Sequence, residues 1–312
     1  MKHKFFLSLL LALVALCLLA QVPVTRNSTK PKAKPKTEQT AKPAPAKKKT
    51  NEPAKKKTNE PAKPSAAKRT NSSGATSSAA NAKLTLNNLT ANMVYVSGGT
   101  FTMGATSEQG SDAYNDEKPV HSVTLSSFYI CKYEVTQALW NAVMGSNPSN
   151  WKGDDLPVET VSRDDCQTFI RKLNALTGKN FRLPTEAEWE FAARGGNNSR
   201  GYKYAGSNNI ETVAWYQGNS GNKTHVVGTK SPNELGLYDM SGNVWEWCQD
   251  RYGSYSGASQ TNPTGASSGS NRVLRGGCCG RSAWYCRSSL RIIGTPDGRN
   301  DGFGLRLVLS QL

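Results

Sequence analysis

The stretch RLPTEAEWEFAARGG, at residues 182–196, gives the clearest local prediction in the chain. Thr185 followed three positions later by Glu188 is the capping-box pattern that opens a helix, and the Gly-Gly pair ends it. A second stretch, NELGLYDMSGNVWEW, occupies residues 233–247. Gly, Asn and Ser punctuate the chain between them, so the sequence predicts short elements separated by long loops.

Two further helices are predicted upstream of these stretches. Thr136 can cap a helix that ends at Gly145. Ser162 can open a second helix that ends at Gly178, because apolar residues recur in it at helical spacing. Both predicted helices are short enough to pack on a sheet.

The strand signals lie mostly before these helices. Residues 93–103 hold two β-rich runs around Ser97-Gly98-Gly99, which predicts a hairpin, and residues 120–130 form another β-rich stretch. Helices and strands are therefore mixed without a repeating β-α order. This pattern predicts an α+β fold with a loop-rich C-terminal half.

The positive charge is concentrated in one part of the chain. The whole sequence has a net charge of +16, but residues 84–312 contain 21 basic and 20 acidic residues. The basic excess thus belongs to the N-terminal segment, and the domain itself is near neutral. This distribution argues against a basic nucleic-acid-binding domain, and no nucleic-acid partner is expected.

The N-terminal segment has the composition of an export signal followed by a spacer. Residues 1–20 place two lysines before an apolar run of 16 residues, which is shorter than the ~20 of a membrane span and favours a cleaved signal peptide over an anchor. Export to the periplasm, cell surface or medium is expected. Residues 21–83 repeat the octapeptide PAKKKTNE and predict a disordered linker. Its cations can contact an anionic cell envelope, or the segment can be a solvated spacer.

Four stretches together resemble one family. The two quoted above, FYICKYEVTQALW at residues 128–140 and RVLRGG at residues 272–277 closely resemble the formylglycine-generating enzyme, or sulfatase-modifying factor, family. The resemblance covers most of residues 84–312. It implies a compact, loop-rich variant of the C-type lectin fold.

The segment DMSGNVWE contains a candidate calcium loop. Asp239 and Glu246 flank a glycine turn whose carbonyl groups can point inward, and such hard oxygen ligands suit Ca²⁺. The resemblance implies the same site, with side-chain ligands at Asp239 and Glu246 and carbonyl ligands at Gly242 and Val244. The alternative is a helix cap beside an exposed acid.

The cysteines decide between catalysis and binding. The oxidases of this family resemble one another in a cysteine pair, five apart after Gly-Gly, that binds Cu(I), and thiolates suit this soft ion. Counted from Gly277, those positions fall on Arg281 and Cys286, so the pair is missing. Cys278 or Cys279 combined with Cys286 remains open. A copper-dependent oxidase that converts a sulfatase cysteine to formylglycine is therefore the alternative function. The six cysteines after the signal peptide also permit disulfides.

The C-terminal segment carries a second resemblance. Residues 278–304 contain no Lys, Glu, Gln or Met, whereas 28 such residues occur between positions 84 and 277. This composition resembles the variable region of proteins diversified by retroelements, although an ordinary family member with a Gly- and Ser-rich loop remains open. The frame of such regions is retained at Arg275-Gly276-Gly277, Cys286-Arg287, Pro296-Asp297 and 304–306.

Under this interpretation, one exposed patch binds the ligand. The residues of this patch include Trp, Tyr and Arg, which are enriched at binding hot spots. We therefore expect an exported, non-catalytic module that binds a protein or a glycan. The predicted ligand-binding residues are Cys279, Gly280, Arg281, Ser282, Trp284, Tyr285, Leu290, Ile292, Ile293, Gly294, Thr295 and Gly298.

Overall fold

A computed structural model describes residues 86–111 and 113–310. The predicted signal peptide and linker lie outside the described residues. Within the described part of the chain, no helix is long and apolar enough to cross a membrane.

Short elements alternate with loops throughout, which confirms the predicted loop-rich α+β class. Between residues 137 and 213 the α-helices are α1 (Gln137–Met144), α2 (Arg163–Thr177), α3 (Glu186–Ala193) and α4 (Ile210–Val213). The strands are β1 (Met93–Val96), β2 (Gly99–Met103), β3 (His121–Leu125), β4 (Phe128–Cys131), β5 (Ala214–Trp215), β6 (Ser241–Gly242), β7 (Trp245–Arg251), β8 (Gln260–Thr261), β9 (Arg272–Arg275), β10 (Arg291–Gly294), β11 (Phe303–Gly304) and β12 (Val308–Leu309).

The three predicted helices are confirmed with their caps. Thr136, Ser162 and Thr185 each accept a hydrogen bond from the backbone N–H three residues later, which satisfies a donor that the first helical turn leaves free. Gly145 and Gly178 follow α1 and α2 with φ of 76° and 67°, the left-handed conformation that glycine adopts without strain.

The predicted hairpin at residues 93–103 is wrong in its pairing, although both strands exist. β1 pairs with β4, and β2 pairs with β3, each in antiparallel register. Gly98 packs against the β3–β4 turn: its N–H donates to Ser127 Oγ at 3.0 Å, and a Cβ there would lie 2.5 Å from the Leu125 carbonyl oxygen. The chain therefore crosses between two sheets at this point instead of reversing within one.

A four-stranded sheet, in the order β10-β9-β7-β11, carries the C-terminal segment. Trp245 and Trp247 from β7 are buried, and so is Trp189 from α3. One core cluster joins Trp247 to apolar residues of α1 and α2. The chain leaves this sheet at the end of β9 and returns in β10, so residues 276–290 form a loop whose two ends are fixed in adjacent strands.

Four buried arginines of the C-terminal segment each pair with a distant carboxylate. An unpaired charge in a protein interior is very unfavourable, so each arginine ties its part of the C-terminal segment to the element that carries its carboxylate partner. The pairs are Arg275 with Glu190, Arg287 with Glu117, Arg291 with Glu186, and Arg306 with Glu246.

Candidate functional site

The loop begins with two glycines whose backbone conformation other residues rarely adopt. Gly276 and Gly277 have φ of 99° and 79°. A Cβ on Gly277 would lie 2.7 Å from Cys286 Sγ, so the backbone passes close to the fully buried Cys286. The segment that follows is thereby turned away from the sheet.

Three aromatic rings meet where this loop reaches the surface. The Trp284 ring lies edge-on to Tyr114 at a centroid distance of 4.1 Å and to Tyr285 at 5.1 Å. The Arg281 guanidinium lies 5.6 Å from the centre of the Tyr285 ring. We call the surface formed by Tyr114, Arg281, Trp284 and Tyr285 the aromatic face.

Tyr114 comes from a loop far upstream, and Glu117 holds that loop against the aromatic face. Its carboxylate accepts a hydrogen bond from the Tyr114 N–H at 2.9 Å and two from Arg287 at 2.6 and 2.8 Å. Burial alone would raise the pKa of Glu117, but hydrogen bonds from Arg287 and Ser289 outweigh burial and hold the pKa below its ordinary value. The carboxylate is therefore ionised and keeps the two loops together.

Arg287 also orients Trp284. Its Nε donates to the Trp284 carbonyl oxygen at 3.1 Å, and its guanidinium lies 4.5 Å from the centre of the Trp284 ring. The aromatic face thus rests on a buried, fully paired cation. Sequence reasoning missed Tyr114, because long-range contacts such as the pair between Glu117 and Arg287 bring it to this loop.

The structure divides the predicted ligand-binding residues by burial. Three are buried, so their predicted exposure is wrong: Cys279 bonds through its N–H to the Asn243 carbonyl, Leu290 belongs to the core, and Gly294 packs against Trp247. The exposed members are Gly280, Arg281, Ser282, Ile293 and Thr295, and the half-buried ones are Trp284, Tyr285, Ile292 and Gly298.

Cys278 and Cys279 line a cleft of about 290 Å³ beside the aromatic face. A hydrogen bond between the two thiols lowers the pKa of Cys278. Cys286 does not line this cleft, and burial raises its pKa. Among the described residues all six cysteines are free thiols, so the predicted option of disulfides is not realised there.

The candidate calcium loop contains one carboxylate with a free oxygen and one that is fully engaged. Asp239 Oδ2 accepts from the Gly228 N–H at 2.7 Å, while its buried Oδ1 has no donor. Both oxygens of Glu246 accept hydrogen bonds, from Trp189 Nε1 at 2.7 Å and from Arg306 at 2.8 to 3.1 Å. Both acids are buried, so the alternative of an exposed acid is wrong.

Asp239 therefore fits a bound cation better than Glu246 does. In the part of the chain that the structure describes, no three His, Cys, Asp or Glu side chains converge as a metal cluster. Any cation here would depend on carbonyl oxygens, for which Gly242 and Val244 are the predicted sources. Calcium stays a prediction.

Fold and loop together define a loop-rich α+β domain of the formylglycine-generating enzyme type. Residues 77–311 match the family model described as the sulfatase-modifying factor enzyme 1-like domain. The chain belongs to this family.

Relatives of the chain include enzymes and proteins with other names. It is 31% identical over 286 residues to the formylglycine-generating enzyme of Streptomyces coelicolor, covering 70% of this chain and 88% of that one. It is 38% identical over 206 residues to the chaperone protein LppX of Paenibacillus barcinonensis, covering 50% and 70%. Among solved structures, Treponema denticola variable protein 1 is similar with 34% identity and a TM-score of 0.64, covering 70% of this chain and 95% of that one.

Proposed function

We propose that this protein is an exported binding module that recognises a protein or glycan ligand through the aromatic face. The observation that carries the proposal is the aromatic face: Arg281, Trp284 and Tyr285 lie on a loop anchored in two strands, and Tyr114 packs against them from an upstream loop. Aromatic rings bury much area at low entropic cost, and Trp, Tyr and Arg dominate binding hot spots. Tyr114 is 47% exposed, so part of this group is available to a partner.

The scaffold under the aromatic face supports the same function. Arg287 and Glu117 fix the two loops from beneath, so side chains can differ at the surface while the backbone stays in place. Similarity to a protein named a variable protein supports the idea that the segment from 278 to 304 is diversified. A nearby reverse transcriptase gene and a near-identical template repeat in the flanking DNA are expected if this diversification is local.

A binding comparison tests the proposed function. The biotin-labelled full chain is applied to a glycan array and to intact bacterial cells, alongside the variants Trp284→Ala and Tyr114→Ala. Tyr95→Ala is the matched control, because Tyr95 is an exposed tyrosine on β1. Each face variant should lose at least about tenfold in affinity, since a hot-spot truncation costs about 2 kcal/mol or more. If Tyr95→Ala weakens binding as much as the face variants do, the proposal is contradicted.

The cleft at Cys278 and Cys279 favours a second candidate function, the copper-dependent oxidase. Two thiols in one accessible cleft can bind a soft ion. The purified chain loaded with Cu(I) is incubated with O₂, a thiol reductant that supplies two electrons, and a Cys-x-Pro-x-Arg peptide, and an aldehyde is sought by mass spectrometry. Product that disappears in Cys278→Ser would support the oxidase, and absence of product in the wild type would exclude it for this peptide.

The same proposal includes a calcium ion at Asp239, which would act as part of the scaffold. The unpaired Oδ1 and the nearby Glu134, whose pKa burial and neighbouring carboxylates raise, leave an excess of buried carboxylate that a cation would offset. Bound there, calcium would stabilise the domain without contacting the ligand.

A further inference from the structure

Three arginines converge at one end of the β10-β9-β7-β11 sheet. Arg251 and Arg272 are directly paired across β7 and β9, so their side chains leave the same face of the sheet. Helix α2 packs over this sheet, and its first residue is Arg163. The pKa of Arg163 is lowered by burial and then by the positive charges of Arg272 and Arg251, as expected for three close guanidinium groups.

The donors of this cluster lack acceptors. Arg163 Nε, Arg272 Nε and Arg272 Nη1 are shielded from solvent, and none has a hydrogen-bond partner among the residues described. Asp164 lies 4.0 Å from Arg163 Nη1 and has a largely exposed side chain. Arg287 and Arg306 in the same domain are, in contrast, fully paired with carboxylates.

Buried donors of this kind call for an acceptor. Each unsatisfied donor costs about 1–3 kcal/mol, and a guanidinium group binds oxyanions through two parallel hydrogen bonds. Three arginines with one aspartate leave two positive charges, which a dianion neutralises and a single carboxylate does not. Gly294, the other neighbour of Arg272 in the sheet, adds no side chain that would fill this space.

We propose that Arg163, Arg251 and Arg272 form a binding site for a tetrahedral oxyanion, a sulfate or phosphate group that is either free or held as an ester. The site uses no residue of the aromatic face, so the inference stands without the proposed function. A ligand that carries such a group would be oriented by the start of β9 and the start of α2.

Thermal unfolding of the full chain tests the site. The unfolding temperature is measured in sodium sulfate and in sodium phosphate, each against sodium chloride at matched ionic strength. The wild type should be stabilised by sulfate or phosphate beyond chloride. Arg272→Gln should lose at least about tenfold in apparent affinity, because 1.4 kcal/mol corresponds to a factor of ten. Without the anion its unfolding temperature should equal or exceed that of the wild type, since a repulsion is removed.

The matched control is Arg171→Gln, which removes an exposed arginine from the same helix. It should respond to sulfate as the wild type does, and all variants share the basic N-terminal segment, so binding there cancels. If Arg272→Gln does not fold, Arg251→Gln replaces it as the site variant, because Arg251 is exposed and its substitution should not disturb folding. Equal stabilisation of the wild type, Arg251→Gln and any folded Arg272→Gln variant overturns the proposal, as does no stabilisation of the wild type.

Methyl phosphate, which is a dianion at about pH 8, distinguishes the source of the oxyanion. If methyl phosphate stabilises the wild type and loses this effect in Arg272→Gln, or in Arg251→Gln where that variant is used, the site accepts an ester. If only the inorganic ions do so, it holds a free oxyanion. Either result supports the site.

Discussion

Arg287 donates from both terminal nitrogens to the two carboxylate oxygens of Glu117, although the residues are 170 positions apart in the chain. Both side chains are fully buried. This pair joins the upstream loop that carries Tyr114 to the segment that carries Trp284. The aromatic face therefore depends on a long-range ionic contact, which Ser289 reinforces by donating hydrogen bonds to Glu117 and Gln109.

Breaking this contact should be costly. Glu117→Gln leaves Arg287 charged and without its partner, and we expect a loss of about 3–5 kcal/mol in the free energy of unfolding. Urea denaturation measures it. Arg299→Gln, which opens the exposed pair between Arg299 and Asp165, should cost less than about 1 kcal/mol. Similar losses in the two variants would show that burial does not set the strength of the Glu117 pair.

The glycine turn at the start of the loop gives a second prediction. Gly277→Ala places a methyl group 2.7 Å from Cys286 Sγ at a positive φ, so we expect destabilisation of about 1–3 kcal/mol. Gly280→Ala is the control, because nothing lies within 4 Å of its added Cβ. Thermal unfolding should separate the two variants clearly. A Gly277→Ala protein as stable as Gly280→Ala would mean that the turn relaxes.

Asp250 should make stability depend on pH. Burial, and then the charge of Glu186, raise the pKa of Asp250 to about 8. Between about pH 4 and pH 8 the folded state keeps a proton that the unfolded state has lost, so stability falls as the pH rises, by up to about 1.4 kcal/mol per pH unit from this group.

Asp250→Asn removes that titration. Asparagine keeps an oxygen that can accept from the Glu186 N–H, which donates to Asp250 Oδ2 in the wild type. The free energy of unfolding of Asp250→Asn, relative to that of the wild type, should therefore increase between pH 5 and pH 8 in urea unfolding experiments. An advantage that is the same at both pH values would assign the slope to other groups.

Calcium should stabilise the wild type through Asp239. We expect the unfolding temperature to rise on adding Ca²⁺ after chelation, by about 2–4 °C for each kcal/mol of binding free energy. Asp239→Asn should abolish the rise, whereas Asp297→Asn, at an exposed acid of the C-terminal segment, should retain it. No rise in the wild type would remove calcium from the proposal.

Local signals in the sequence predicted the helices well, because a cap is a contact between residues three apart. Thr185 with Glu188 shows this: both partners lie in one quoted stretch, and the structure contains their capping box. The core tryptophans were also predictable, since their size and apolar surface favour burial.

Long-range contacts explain what could not be predicted. Gly98 looked like a hairpin turn, but its neighbour is the turn after β3, which no local pattern reveals. Leu290 lies in a segment whose frame suggested surface display, yet its side chain is part of the core. Tyr114 reaches the candidate site through long-range contacts, among them the pair between Glu117 and Arg287.

The strand order β1-β4-β12 has a consequence for how the protein is made. β4 lies between a strand near the start of the described chain and one at its end, so its second neighbour is synthesised about 180 residues later. A nascent chain interrupted anywhere before β12 would expose an unpaired strand edge to other chains. The chain must therefore be synthesised through β12 before this domain is safe from aggregation, and a copy that stops before β12 is a natural substrate for proteolysis.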